Sequence, residues 1–356
     1  MNPTYSVLIM GASYGSLLGL KLALAGHDVT LVCLPDEAAV INAEGLRVRM
    51  PVKGREGLLE VTSQGAPGKV SACGPDDANP ADFNLVALAM QEPQYGSPGV
   101  RDLLDKVARA KVPCMSIMNM PPLPYLQRLP GLDAAPLRAC FTDASVWANF
   151  DPALMTLCSP DPQAFRPPEE KPNVLQVSLP TNFKVARFDD EAHTTMLRNM
   201  QSGIEGIRHE TPEGPVELPV KLKVHDSVFV PLAKWAMLMT GNYRCVTPQG
   251  ARPIKEAVHT DPEQSRAMYN WVVALCERMG ADAADMVPFE KYANAANGLA
   301  KPSSAARALY AGAPNIERVD CLVRTIAGQH GQSNDTLDEI VALVNAQLEQ
   351  NRQKAG

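Results

Sequence analysis

The chain has 356 residues, 46% of them hydrophobic and 20% charged, with a formal net charge of −6. Its length allows two separate cores. This balance excludes a disordered chain, and an acidic surface without basic runs argues against nucleic acid as a partner. The eight cysteines are scattered, with no C-x-x-C pair or short Cys/His spacing, so neither a zinc site, or any other metal site, nor a disulfide framework is expected.

Residues 6–33 are apolar but carry Lys21, His27 and Asp28 and lack a basic leader. They read as neither a signal peptide nor a membrane span, so a cytoplasmic protein with no membrane partner is expected. Taken in order, residues 5–10 have the pattern of a short buried strand, followed by Gly11-Ala12-Ser13-Tyr14-Gly15-Ser16, a helix through Ala25 and a second strand over 29–33. This is the opening of a doubly wound α/β sheet. Its glycine turn lets the backbone approach a pyrophosphate at the positive end of the helix. Gly11 and Gly15 are read as the backbone-approach positions, and Gly19 as the one that packs the helix on the sheet. Ser13 stands where a G-x-G-x-x-G pattern has its second glycine, and Gly15 arrives one residue early. The alternative is a turn that serves packing alone.

No acidic residue at Cys33 or Leu34 is placed to bind a ribose hydroxyl, and no arginine is there for a 2′-phosphate; Asp36 and Glu37 come slightly late. Strands over 84–89 and 113–118 flank a helix over 100–110, continuing a mostly parallel sheet. Asn119 directly follows the last strand, at the edge where such sheets bind ligands, or it simply opens a turn before Pro121-Pro122. Irregular strands and Pro-rich loops are expected over 141–184, then a helix over 189–208. The prolines and glycine of 210–219 read as a linker or insertion. Domains of 1–212 and 213–356 follow.

The second domain is expected to be all helical, with helices near 226–240, 261–279, 289–300, 319–328 and 334–352, an N-cap at Asn334-Asp335 and a frayed tail from Asn351. Lys234 lies in an apolar stretch. On an α-helix Asn242 stands only about 80° round from it, so both could face one cleft; the alternative is that Lys234 snorkels to the surface.

These features together resemble the ketopantoate reductases: residues 11–32, Asn119, Lys234 with Asn242, Lys301-Pro-Ser-Ser304 and the segment 311–317. The resemblance covers most of the chain. It implies a Rossmann domain joined to a helical substrate and dimerisation domain, and reduction of a small-molecule 2-oxo acid with NADP, NAD being the alternative cofactor. A homodimer is compatible with it. Cofactor contacts then fall on Gly11, Ala12, Ser13, Tyr14, Gly15, Ser16 and Asn119. Lys234 takes the role of proton donor; Asn119, Asn242 and Ser304 contact substrate. The family's acidic residue falls on Ile316, and its role passes to Glu317, one place later. The chain departs from the family at Leu238, Leu34, Ala89 and Met120, and extra sequence enlarges its middle between about 150 and 222. Two other functions share these features: an opine-type dehydrogenase that reduces an imine, and a dinucleotide-binding protein without turnover.

Overall fold

The computed structural model describes residues 3–355 and divides into two compact units. The first comprises residues 3–90, 94–118 and 146–226; the second comprises 91–93, 119–145 and 227–355.

The first unit opens as strand β1 (Ser6–Met10), helix α1 (Ala12–Leu24) and strand β2 (Asp28–Val32). Helix α2 (Pro35–Glu44) leads to β3 (Arg47–Pro51) and β4 (Leu58–Thr62), and β5 (Val70–Cys73) and β6 (Leu85–Leu88) follow. Helix α3 (Val100–Ala110) precedes β7 (Cys114–Ile117); then come β8 (Met155–Ser159), β9 (Gln163–Phe165), β10 (Val174–Leu179), β11 (Phe183–Ala186) and β12 (Leu222–His225). Among the described residues, eight strands form one sheet in the order β12-β11-β8-β7-β6-β1-β2-β5, parallel except between β8 and β11. The strand order reverses at β1, whose neighbours are β2 and β6. A second sheet, β4-β3-β10-β9, lies on the other side of α1. Helix α1 is therefore buried almost all round, from Gly15 through Ala23, which accounts for its apolar composition on every face.

The expected linker at 210–219 is instead part of this unit. Arg208–His209 pairs with Val216–Glu217, and Leu218 and Val220 are buried in the same core as β1 and α1. Its prolines forbid a helix but not an edge strand. The unit ends at Asp226, because β12 completes the large sheet.

The second unit is mainly helical. Beyond the expected helices it has Ile254–His259 and Ser304–Tyr310, and a two-residue hairpin joins Val246–Thr247 to Gly250–Ala251. The cap at Asn334 is present: its Oδ1 accepts the Leu337 N–H at 3.1 Å. The tail does not fray at Asn351. The helix runs Asp335–Ala355, and the buried Asn351 donates to the carbonyls of Leu309 and Ala313 at 2.7 and 2.9 Å.

The segment expected as one helix over 226–240 starts later and changes winding along its length. It is 3-10 over Val230–Ala233, α over Lys234–Met237, π over Leu238–Asn242 and 3-10 again over Tyr243–Cys245. The π turn has a visible cause. Tyr292 donates its hydroxyl to the Met237 carbonyl at 3.1 Å, and that hydroxyl lies 2.0 Å from where a Cβ on Gly241 would be. A side chain inserted beside the ladder widens the turn, and only glycine at 241 leaves room for it.

Candidate functional site

The glycine turn is built from close contacts on the first unit. Gly11 has φ +105°, a conformation that L side chains rarely adopt, and its N–H donates to Val32 O at 2.9 Å. The turn is thereby tied to the end of β2. Helix α1 starts at the next residue with no side-chain cap and no acidic residue in its first turn, and Ser13 is exposed there. Uncapped N–H groups beside a small exposed side chain fit a phosphate group.

Two residues of the turn have other work. A Cβ on Gly15 would lie 2.6 Å from Ile9 Cγ2, so this glycine lets α1 press on β1 and does not face an open surface. Its place as a backbone-approach position is thus corrected to helix–strand packing. Tyr14 donates its hydroxyl to Pro162 O at 2.7 Å and meets Phe183 edge-on at 5.8 Å. Burial pushes its phenol well above the usual range. Ala12 is buried, and Ser16 donates back to the Ala12 carbonyl. Of the seven residues predicted to hold a cofactor, six lie in this turn, and among those Ser13 is exposed and Gly11 half-buried without a side chain in the way.

The second unit brings Asn119, Asn242, Ser304 and Glu317 around one cleft, with Gln91, Leu238, Tyr243, Ala305 and Ile316 completing its wall. The cavity itself is about 20 Å³, room for a water molecule and well below the volume of a filled ligand site. Lys234 is not part of this lining; it lies half-buried one turn before Leu238. Asn242 is two turns further on, and its π turn advances less per residue than an α turn. The angle between Lys234 and Asn242 is therefore smaller than α geometry gives.

Glu317 is the carboxyl of the cleft wall. Burial pushes its carboxyl up to about 7, opposed by hydrogen bonds from the Glu92 N–H at 3.4 Å and from Asn119 Nδ2 at 3.5 Å, while the nearby Glu92 carboxylate raises it further. Asn119 is left with a buried Oδ1 that accepts no hydrogen bond among the described residues. A buried acceptor without a donor is costly, which sets Asn119 apart from the other polar residues of the wall.

Three supporting residues escaped sequence reasoning. Tyr243 donates to the Glu317 carbonyl and accepts from the Val319 N–H at 3.0 Å, fixing the backbone that carries Glu317. Ser303 caps the helix of Ser304, accepting the Ala306 N–H, and donates to Asn242 O at 2.7 Å. Buried Glu92 accepts the Thr142 N–H and hydroxyl at 3.0 and 2.8 Å. Ser303 had a readable signal, a serine opening an apolar helical run. Glu92 and Thr142 are 50 residues apart and show none.

Among the described residues, no three His, Cys, Asp or Glu side chains gather to hold a metal ion, and no helix is long and apolar enough to cross a membrane.

Residues 7–106 match the family model of the ketopantoate reductase PanE/ApbA. No curated protein matches the sequence significantly. Solved structures share the fold over nearly the whole chain. A PanE/ApbA family ketopantoate reductase from Ralstonia eutropha JMP134 is 16% identical, with TM-score 0.60, covering 98% of this chain and 99% of that one. The 2-dehydropantoate 2-reductase of Methylococcus capsulatus is 13% identical, with TM-score 0.62 and 97% of each chain covered. A D-mandelate dehydrogenase in ternary complex with NADH and anilino(oxo)acetate is 14% identical, with TM-score 0.62, covering 98% and 99%. The sequence pattern of that family is thus present in residues 7–106, and the fold along the length of the chain is that of these solved structures.

Proposed function

We propose that this protein is a nicotinamide-dinucleotide-dependent reductase of a small 2-oxo acid, with the dinucleotide held by the first unit and the substrate by the second. The observation that carries this reading is the grouping of Asn119, Asn242, Ser304 and Glu317 around one cleft of a ketopantoate reductase fold. The neighbour that binds NADH and anilino(oxo)acetate supports it.

The nicotinamide, when bound, supplies the hydride. The chain's own groups must stabilise the negative charge that develops on the carbonyl oxygen and deliver a proton to it. A carboxyl raised to about 7 still carries its proton in a large share of molecules at neutral pH, so Glu317 is suited to donate it. Lys234, on the same helical segment as Leu238 and Asn242, is assigned the electrostatic role. Asn242 and Ser304 offer neutral hydrogen bonds to the substrate carboxylate, and the unsatisfied Asn119 Oδ1 accepts from the product hydroxyl. Leu238, Ala305 and Ile316 form the apolar part of the wall. A 2-oxo acid with an apolar side group suits this wall better than one that needs a further hydrogen bond there.

The test is a screen of 2-oxo acids for oxidation of reduced dinucleotide, run with and without added amines. Turnover of an apolar 2-oxo acid without amine is expected. Turnover that requires an amine would move the assignment to imine reduction, and dinucleotide binding without any turnover would reduce the protein to a binding module.

A further inference from the structure

The extra sequence in the middle of the chain has a consequence for the first unit. Strand β9 belongs to it, and Arg166 follows β9 directly. The hydroxyl of Tyr14 on α1 holds the Pro162 carbonyl, just before this strand. Arg166 then reaches the first turn of α2, where its Nη1 pairs with Glu37 Oε1. Both side chains are largely buried, 24% and 18% exposed. Cys33, directly after β2, lies within electrostatic reach of both: burial does most to raise its thiol, Glu37 adds to the rise and Arg166 opposes it. The pair therefore flanks the carboxyl end of β2, the strand end to which the Gly11 turn is also tied. In a doubly wound sheet this is where the adenosine ribose of a dinucleotide is read.

We propose that Glu37 and Arg166 together form the ribose-reading end of the cofactor site and select NADH over NADPH. This rests on the reductase reading above and adds the cofactor's identity. Arg166 Nη2 is buried and has no hydrogen-bond partner among the described residues, while the Glu37 carboxylate keeps lone pairs beyond the one that Nη1 uses. The pair thus holds one unused, enclosed donor beside one acceptor, which a ribose can reach only as the Arg166 side chain shifts outward. A ribose hydroxyl has both a proton to give and lone pairs to receive, so it satisfies the two at once. A 2′-phosphate has acceptors and negative charge only. It would meet the free N–H of Arg166 but also the Glu37 carboxylate, with the cation already partly neutralised. Leu34, 69% exposed after β2, contributes no charge of its own.

Binding isotherms for NADH and NADPH, with no substrate present, test the proposal on the wild type, Glu37→Gln and Arg166→Gln, each checked by a melting curve. The wild type should bind NADH at least about tenfold more tightly, a difference of about 1.4 kcal/mol. Glu37→Gln removes the repulsion and should shift the preference toward NADPH by about tenfold, whereas Arg166→Gln should shift it further toward NADH. Wild-type protein that binds NADPH as well as or better than NADH, or a ratio unmoved in Glu37→Gln, overturns the ribose assignment and leaves the reductase reading intact. Wild-type protein that binds neither nucleotide overturns both.

Discussion

Glu317 carries its own record of burial. In the folded protein it holds its proton up to about 7, whereas an unfolded glutamate releases it near about 4.3. Stability from the protonated form is complete below the lower value and is lost as pH rises through the upper one. Glu317→Gln keeps the shape without the charge, so its stability should gain on the wild type by about 3 kcal/mol between pH 4 and pH 8. Denaturant unfolding at the two pH values checks this, and a constant difference would mean that the carboxyl ionises normally. For Lys234, the clean substitution is Lys234→Met, which keeps the apolar stem. If the cation stabilises the developing alkoxide, kcat should fall about a hundredfold with the melting temperature little changed. Full activity in the folded variant would remove Lys234 from the mechanism. The sequence displays the types and spacing of Asn119, Asn242, Ser304 and Glu317. It does not display the Glu92 pair with Thr142 or the Tyr243 clamp, because both depend on segments that meet only in the folded unit.

Among the elements, β1, α1 and β2 were legible because their patterns are local: a buried apolar run, a glycine turn and a second run. What each glycine does was not legible, since Gly15 is explained by Ile9 and not by a ligand. Gly15→Ala should cost about 1–3 kcal/mol of stability, because the added methyl meets Ile9 Cγ2. The cost should shrink in an Ile9→Ala background, a coupling that a double-mutant cycle measures. The same substitution without loss of stability would put the helix further from the strand than described. The π turn was equally hidden, for it depends on a tyrosine 50 positions beyond Asn242 in the chain. Tyr292→Phe removes the hydroxyl from Met237 O and lets the turn relax toward α winding, carrying Asn242 away from the cleft. The expected result is a raised KM for the oxo acid with kcat changed less, whereas equal loss in both would point to general destabilisation.

At the scale of the whole molecule, the fold class was readable from the alternation of strand and helix followed by helices alone, but the division into units was not. A proline-rich stretch looks like a linker, yet 210–219 belongs to the first unit through its hairpin, and residues 119–145 join the second unit across a long gap in sequence. Local composition reports where a helix cannot run; it does not report which core a short strand will complete. The added middle segment has a use in this architecture, since it brings β9 and Arg166 to the end of β2. The central claim is that the cleft of the second unit holds the substrate of a dinucleotide-dependent reduction. Its most direct measurement is the KM of the best 2-oxo acid in the double variant Asn242→Ala with Ser304→Ala, set beside the dissociation constant of the reduced dinucleotide in the same protein. Loss of two neutral hydrogen bonds should raise KM about tenfold or more while the dinucleotide constant stays within about twofold of the wild type. An unchanged KM in the folded variant would contradict the assignment of this cleft to the substrate.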